Sequence, residues 1–262
     1  MKHNKYKKTS KITKNNTSKI TKNNTSKITK NNTSKITKNN NIILSSNCTN
    51  NHIFAKKTSH IINKKFNQKD KINISVIITA KMNFKNKSYK QLTGYAKKKF
   101  RNQFKLFNID KPCNIDYIDF SNKLNHNKAF NSINSSDIIW VVGGDTFYLW
   151  YYLKKYNIDK IIHNKIKKDN ILYIGCCAGA IIAGETINPA YIERFFKKSK
   201  RYNLENTYKK KFWYNIKNKK TLKLIKNKDF LPHCNSSKNK KIQIYKNPNK
   251  IYCLPEYKLY TK

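Results

Sequence analysis

Arginine is nearly missing from this chain: only Arg101, Arg194 and Arg201 occur, in 262 residues whose formal net charge is +44. Specific contacts to phosphates and base edges favour the planar arginine fork, so the composition does not describe a dedicated nucleic-acid reader. Acidic residues are absent before Asp70, while residues 1–69 carry 17 lysines. The basic excess is spread along the whole chain, and Lys, Asn and Ile dominate throughout, as AT-rich codon usage would produce. Nucleic acid is therefore expected as a partner only through non-specific charge. Long apolar runs are also missing. Nothing approaches the ~20 residues of a membrane span, and the opening MKHNKYKKTS lacks the apolar stretch of a secretory signal. No membrane association is expected. The six cysteines form no CxxC pair, which argues against structural zinc and for a reducing, cytoplasmic setting.

What is present falls into two parts. Residues 9–40 are four copies of the octamer TSKITKNN. Each copy offers one isoleucine, too little apolar surface to offset the entropy of ordering. Residues 1–69 are therefore expected to be a disordered tail, with one folded domain over 70–262. In that domain INISVIITA (72–80) is a short β-branched run suited to a buried strand. SYKQLTGYAKKKFRNQFKLF (88–107) carries apolar residues at helical spacing behind a serine cap. NIDYIDF reads as a strand, and SDIIWVVGGD (136–145) as a strand ending in a Gly-Gly turn before the helix TFYLWYYLKKY. NILYIGCCAGAIIAGETI repeats the strand–turn–helix order, and KIQIYK and KIYCLPE read as late strands. This alternation predicts an α/β fold with a mainly parallel sheet and its active site at the carboxyl ends of the strands.

Both glycine turns, Gly143-Gly144 and Gly175 to Gly179, fall at such ends. Gly175-Cys176-Cys177-Ala178-Gly179 has the G-x-C-x-G spacing of a nucleophile elbow, where small residues two before and two after clear a sharp turn. On that geometry Cys177 is the exposed tip. The amide of Ala178 can stabilise an oxyanion, and Cys176 turns aside to pack as a small apolar residue. Two buried structural cysteines in a tight turn would leave the same pattern. The candidate base is found by elimination. His3 and His52 fall in the expected tail, His60 precedes the first strand, and His126 and His163 have polar loop or helix contexts. His233, in DFLPHCN, remains.

Four segments together carry a resemblance: IIWVVGGDTFYLWYYLKK, YIGCCAGAIIAGETI, LKLIKNKDFLPHC and KIYCLPEYKLY. In this order they resemble the dipeptidase E and cyanophycinase family of serine peptidases, over roughly residues 72–260. The resemblance implies a three-layer α/β sandwich like that of class I glutamine amidotransferases. It implies hydrolysis of short peptides, aspartyl dipeptides among them, with no metal or organic cofactor. The family's nucleophilic serine falls on Cys177, its histidine on His233, and its oxyanion donors on the amides of Ala178 and the Gly143-Gly144 turn, Gly144 foremost. The serine has thus become cysteine, as in the related amidotransferases, but Asn235 stands where those carry a glutamate. The spacing of the family's acid is closest to Glu193, with Glu205 second; Asp229 reads as a turn or cap. Lys197–Lys220 looks like an insertion, and no residue is assigned to read a substrate carboxylate, Arg194 being a guess. Two other classes stay open: an inactive homologue that binds a ligand or senses oxidants through Cys177, and a basic nucleic-acid-associated protein.

Overall fold

A computed structural model describes residues 41–48, 51–83, 88–122, 126–196, 220–234, 251–256 and 258–262. Its strands are β1 (Ile42–Ser45), β2 (Ile72–Ile77), β3 (Cys113–Ile118), β4 (Ile138–Val141), β5 (Leu172–Cys176), β6 (Asp229–Pro232), β7 (Ile251–Leu254) and β8 (Leu259–Thr261). Its helices are α1 (His52–Lys65), α2 (Tyr89–Phe104), α3 (His126–Ser135), α4 (Thr146–Lys155), α5 (Ile158–Lys168), α6 (Ala178–Ala183) and α7 (Asn188–Phe196). Six strands form one sheet in the order β3-β2-β4-β5-β1-β8, and β6 pairs with β7 separately. All pairings are parallel except that of β8, which runs antiparallel to β1.

Side chains alternate across each strand, so one sheet feeds two apolar layers. Ile74, Val76, Ile138, Trp140, Leu172 and Ile174 face one side, where they meet Phe54 and Ile62 of α1 and Leu92, Ala96 and Phe100 of α2. Ile77, Ile139, Val141 and Tyr173 face the other, against α3, α4, α5 and α6. Helices on both faces make the three-layer α/β sandwich expected from the sequence. Trp140 anchors the first layer, its ring 4.9 Å from Phe100, 5.2 Å from Phe107 and 5.9 Å from Phe54. All three contacts are edge-on, the arrangement favoured by the ring quadrupole.

Local signals set the element boundaries. Ser88 accepts from the Gln91 amide while the Gln91 side chain accepts from the Ser88 amide, a capping box that starts α2 where the sequence placed it. Asp145 caps α4 by accepting from the amides of Phe147 and Tyr148. The run beginning at Ile72 ends earlier than expected, because Thr79–Lys81 turns into a short 3-10 helix.

The domain boundary expected at residue 70 is corrected. The compact unit that holds the sheet begins at Asn39. Within it β1 pairs along its whole length with β5, from Ile42–Tyr173 to Ser45–Cys176. IILS buries all four of its residues, enough for a strand held on both sides. α1 follows, with Asn51 as its N-cap and Phe54, Ala55, Thr58, Ser59 and Ile62 on its buried face. At this edge the amides of Ile42 and Lys262 donate to each other's carbonyls at 2.8 and 3.0 Å. The octamer repeats and KIQIYK lie outside the described residues.

Candidate active site

β5 delivers Cys177 at its carboxyl end, in the sheet's interior between β4 and β1. Its backbone is in an uncommon conformation, φ 49° and ψ −104°, which costs a non-glycine residue of order 1–3 kcal/mol and persists only where the surroundings impose it. The surroundings do. A Cβ on Gly179 would sit 2.4 Å from the Val141 carbonyl oxygen, and one on Gly175 2.6 Å from that of Gly179. The turn can be this sharp only with glycine at both places, as the elbow spacing predicts. Tyr173 donates its hydroxyl to the Gly179 carbonyl at 2.7 Å and fixes the turn from below.

The base arrives from the two-stranded sheet. β6 ends at Pro232 and β7 at Leu254, side by side and parallel. His233 and Glu256 therefore leave the same end of that sheet. His233 Nε2 lies 3.3 Å from Cys177 Sγ, and His233 Nδ1 lies 2.5 Å from Glu256 Oε1. With its proton on Nδ1 donated to Glu256, the imidazole turns the Nε2 lone pair toward the thiol. Thiol, imidazole and carboxylate are thus in series, an order that acyl transfer could use. His233 also has a positive φ, 53°.

Glu256 is the carboxylate that lies beside His233, where the sequence leads to an expectation of Glu193. The expected acid falls between Cys177 and His233 in the chain, whereas β7 lies beside β6 and brings the LPE segment against the histidine. Glu193 is on α7, and its side chain, like that of Arg194, lies outside the described residues, as do Glu205 and Asn235. Asp229 is no part of the site. Its buried carboxylate accepts from the amides of Glu185 and Thr186 and from the Thr186 hydroxyl, tying β6 to the segment after α6. Burial raises its pKa, against the lowering effect of those hydrogen bonds. His126 is engaged elsewhere, at the Phe120 carbonyl, 3.1 Å away.

Gly143 and Gly144 pass directly beside the elbow. A Cβ on Gly143 would be 2.8 Å from that of Cys177; one on Gly144, at φ 152°, would be 2.1 Å from the Ala80 carbonyl oxygen. Among the described residues the amides of Gly144 and Ala178 donate to no protein group. A cavity of about 260 Å³ opens here, lined among others by Cys177, His233, Gly144, Lys81, Lys99 and Gln103. Among the described residues, two lysines and no carboxylate contribute to its wall.

Two disulfides flank the site, Cys48–Cys176 and Cys234–Cys253, leaving Cys113 and Cys177 as thiols. Cys176 is buried as expected, but it is bonded to Cys48 rather than acting as apolar filler, and it accepts the Trp140 indole N–H at 3.3 Å. The cysteines that pair are 128 and 19 residues apart, with no spacing in the sequence that marks them.

An α/β sandwich with a thiol on a strand–turn–helix elbow, next to an imidazole and a carboxylate, has the layout seen in hydrolases that use a covalent nucleophile. Comparison with known proteins narrows the class. The chain belongs to peptidase family S51, whose model matches residues 42–247 and so begins at β1. An uncharacterized peptidase of Listeria monocytogenes is 40% identical over 74 residues, and one of Listeria innocua 39% over 75. These matches span 28% and 29% of this chain and only 35% and 34% of the relatives, about a third of their length. A crystal structure of a peptidase E protein from Listeria monocytogenes EGD-e superposes with a TM-score of 0.55 at 21% identity, over 85% of this chain and 94% of that one. A peptidase from an acI-B1 actinobacterium gives 0.53 at 14%, over 84% and 82%. Both likenesses concern the fold. Among the described residues no helix is long and apolar enough to cross a membrane.

Proposed function

We propose that the protein hydrolyses short peptides by acyl transfer through Cys177. The observation that carries this reading is the series Cys177 Sγ–His233 Nε2–Glu256 Oε1, at 3.3 and 2.5 Å. His233 takes the thiol proton as sulfur attacks the peptide carbonyl carbon, and Glu256 holds the imidazolium that results. The amides of Gly144 and Ala178 receive the oxyanion. Collapse of the tetrahedral intermediate breaks the C–N bond, and the leaving amine takes the proton from His233. Water, deprotonated by the same imidazole, then cleaves the thioester, releasing a carboxylate and restoring the thiol.

Acidic peptides, aspartyl dipeptides first, are the proposed substrates, because Lys81 and Lys99 place two lysine side chains in the cavity wall. The test is a dipeptide panel with wild type, Cys177→Ala and Lys99→Met. Wild type should prefer Asp-X over neutral X-X. Cys177→Ala should fall to background, ~10³-fold or more in kcat. Lys99→Met should raise KM for acidic peptides alone. Turnover unchanged in Cys177→Ala would remove the thiol from the mechanism.

The proposed compartment is the cytoplasm, where both disulfides would stand open as thiols. Differential alkylation of protein taken from cells counts them, and four protected cysteines would assign an oxidising compartment instead.

A further inference from the structure

Ser45, Ser46 and Asn51, between the end of β1 and the start of α1, hydrogen-bond the backbone of every member of the proposed triad although they contribute none of its side chains. The Ser45 carbonyl accepts the Cys177 amide at 2.9 Å. Cys48 is bonded to Cys176, the residue preceding the nucleophile. Asn51 Nδ2 donates to the Glu256 carbonyl at 3.3 Å and to that of Asn47 at 3.0 Å. Its Oδ1 accepts from the Phe54 amide, so the cap of α1 also holds the backbone of the acid.

Ser46 does the most. Its Oγ accepts the backbone amide of His233 at 3.0 Å and donates to the carbonyl of Leu254, two residues before Glu256. One buried hydroxyl, 1% exposed, is used in both directions and joins the base to the strand that brings the acid. A hydroxyl is suited to this because it offers one donor and two acceptor sites in a small volume. At His233, whose φ is 53°, the Ser46 hydroxyl is the acceptor for the backbone amide just beyond the end of the β6–β7 pairing.

We propose that Ser46 is a positioning residue for catalysis, its hydroxyl setting the register of His233 against Glu256 and the aim of Nε2 at the thiol. The proposal rests on the reading of Cys177, His233 and Glu256 as the reacting set. Ser46 moves no proton in the reaction; it acts through the backbone of the two residues that do.

The test compares wild type, Ser46→Ala and Ser46→Thr in full-length protein, with three readouts. These are kcat and KM on the best dipeptide, the pH dependence of Cys177 alkylation by iodoacetamide, and thermal unfolding. Ser46→Ala should lower kcat by ~10–100-fold, the usual cost of misaiming a catalytic group by about an ångström, with KM nearly unchanged. The midpoint of the alkylation profile should move, because the imidazole no longer meets the sulfur squarely. Ser46→Thr, which keeps the hydroxyl, should restore both. An unmoved alkylation profile with intact kcat would overturn the proposal. So would a loss confined to KM, which would make Ser46 a substrate contact in the cavity wall. Collapse of the fold in Ser46→Ala, repaired by threonine, would also overturn it by making the hydroxyl merely structural. If wild type cleaves no peptide, the alkylation arm still reports the coupling of His233 to Cys177, so failure of the peptidase reading and failure of this one are told apart.

Discussion

The two halves of the site are built by different means. Cys177 is held by backbone sterics: it leaves an interior strand of a six-stranded sheet, and glycines pack against carbonyls on either side of it. His233 and Glu256 stand on a two-stranded sheet and are held by polar ties, to Ser46, to Asn51 and to each other. A sterically imposed turn leaves a spacing in the sequence that can be read. Polar ties leave only a serine here and an asparagine there, far away in the chain.

The contrast can be broken most severely on the steric side. Gly179→Ala puts a methyl group 2.4 Å from the Val141 carbonyl oxygen, and backbone does not yield as a side-chain tip does. We expect a loss of ~3 kcal/mol or more in stability and no measurable turnover, read by chemical denaturation and the dipeptide assay. On the polar side Glu256→Gln leaves the fold in place and the imidazole without its anionic partner. Its kcat should fall by ~10²–10⁴-fold with the melting temperature nearly unchanged. A rate within twofold of wild type would return the acid's role to another carboxylate, with Glu193 first in line.

The smallest effect concerns Asp229, beneath the polar half. Burial holds its pKa above the ordinary 3.8, so the folded state keeps the proton more tightly than the unfolded chain does. Its contribution therefore favours folding at low pH and is lost as the pH rises from about 3.8 through the raised folded value. Comparing wild type with Asp229→Asn across that range isolates it. The difference in melting temperature should change with pH there and become flat above, and a flat difference throughout would show that burial does not govern this carboxylate.

The same contrast explains what could be read from the sequence. The α/β order, the cap at Ser88, both glycine turns and the elbow at Cys177 were legible because each is a local pattern with a steric or capping cause; His233 was reached only by eliminating the other histidines. β1 and α1 were not, since three apolar residues and a serine in a lysine- and asparagine-rich stretch fall below any periodic signal. With them went Ser46, Cys48 and Asn51. Glu256 was missed for a topological reason. Its part in the site depends on β7 lying beside β6, and nothing in KIYCLPE alone says which strand it will join.

β8 covers the outer edge of β1 through a three-residue pairing, Ile43–Thr261 to Ser45–Leu259. β1 in turn leads directly into Ser46. β8 is thus a brace for β1, and through it for His233. Fraying of β8 would be felt as a loosened imidazole before it was felt as unfolding.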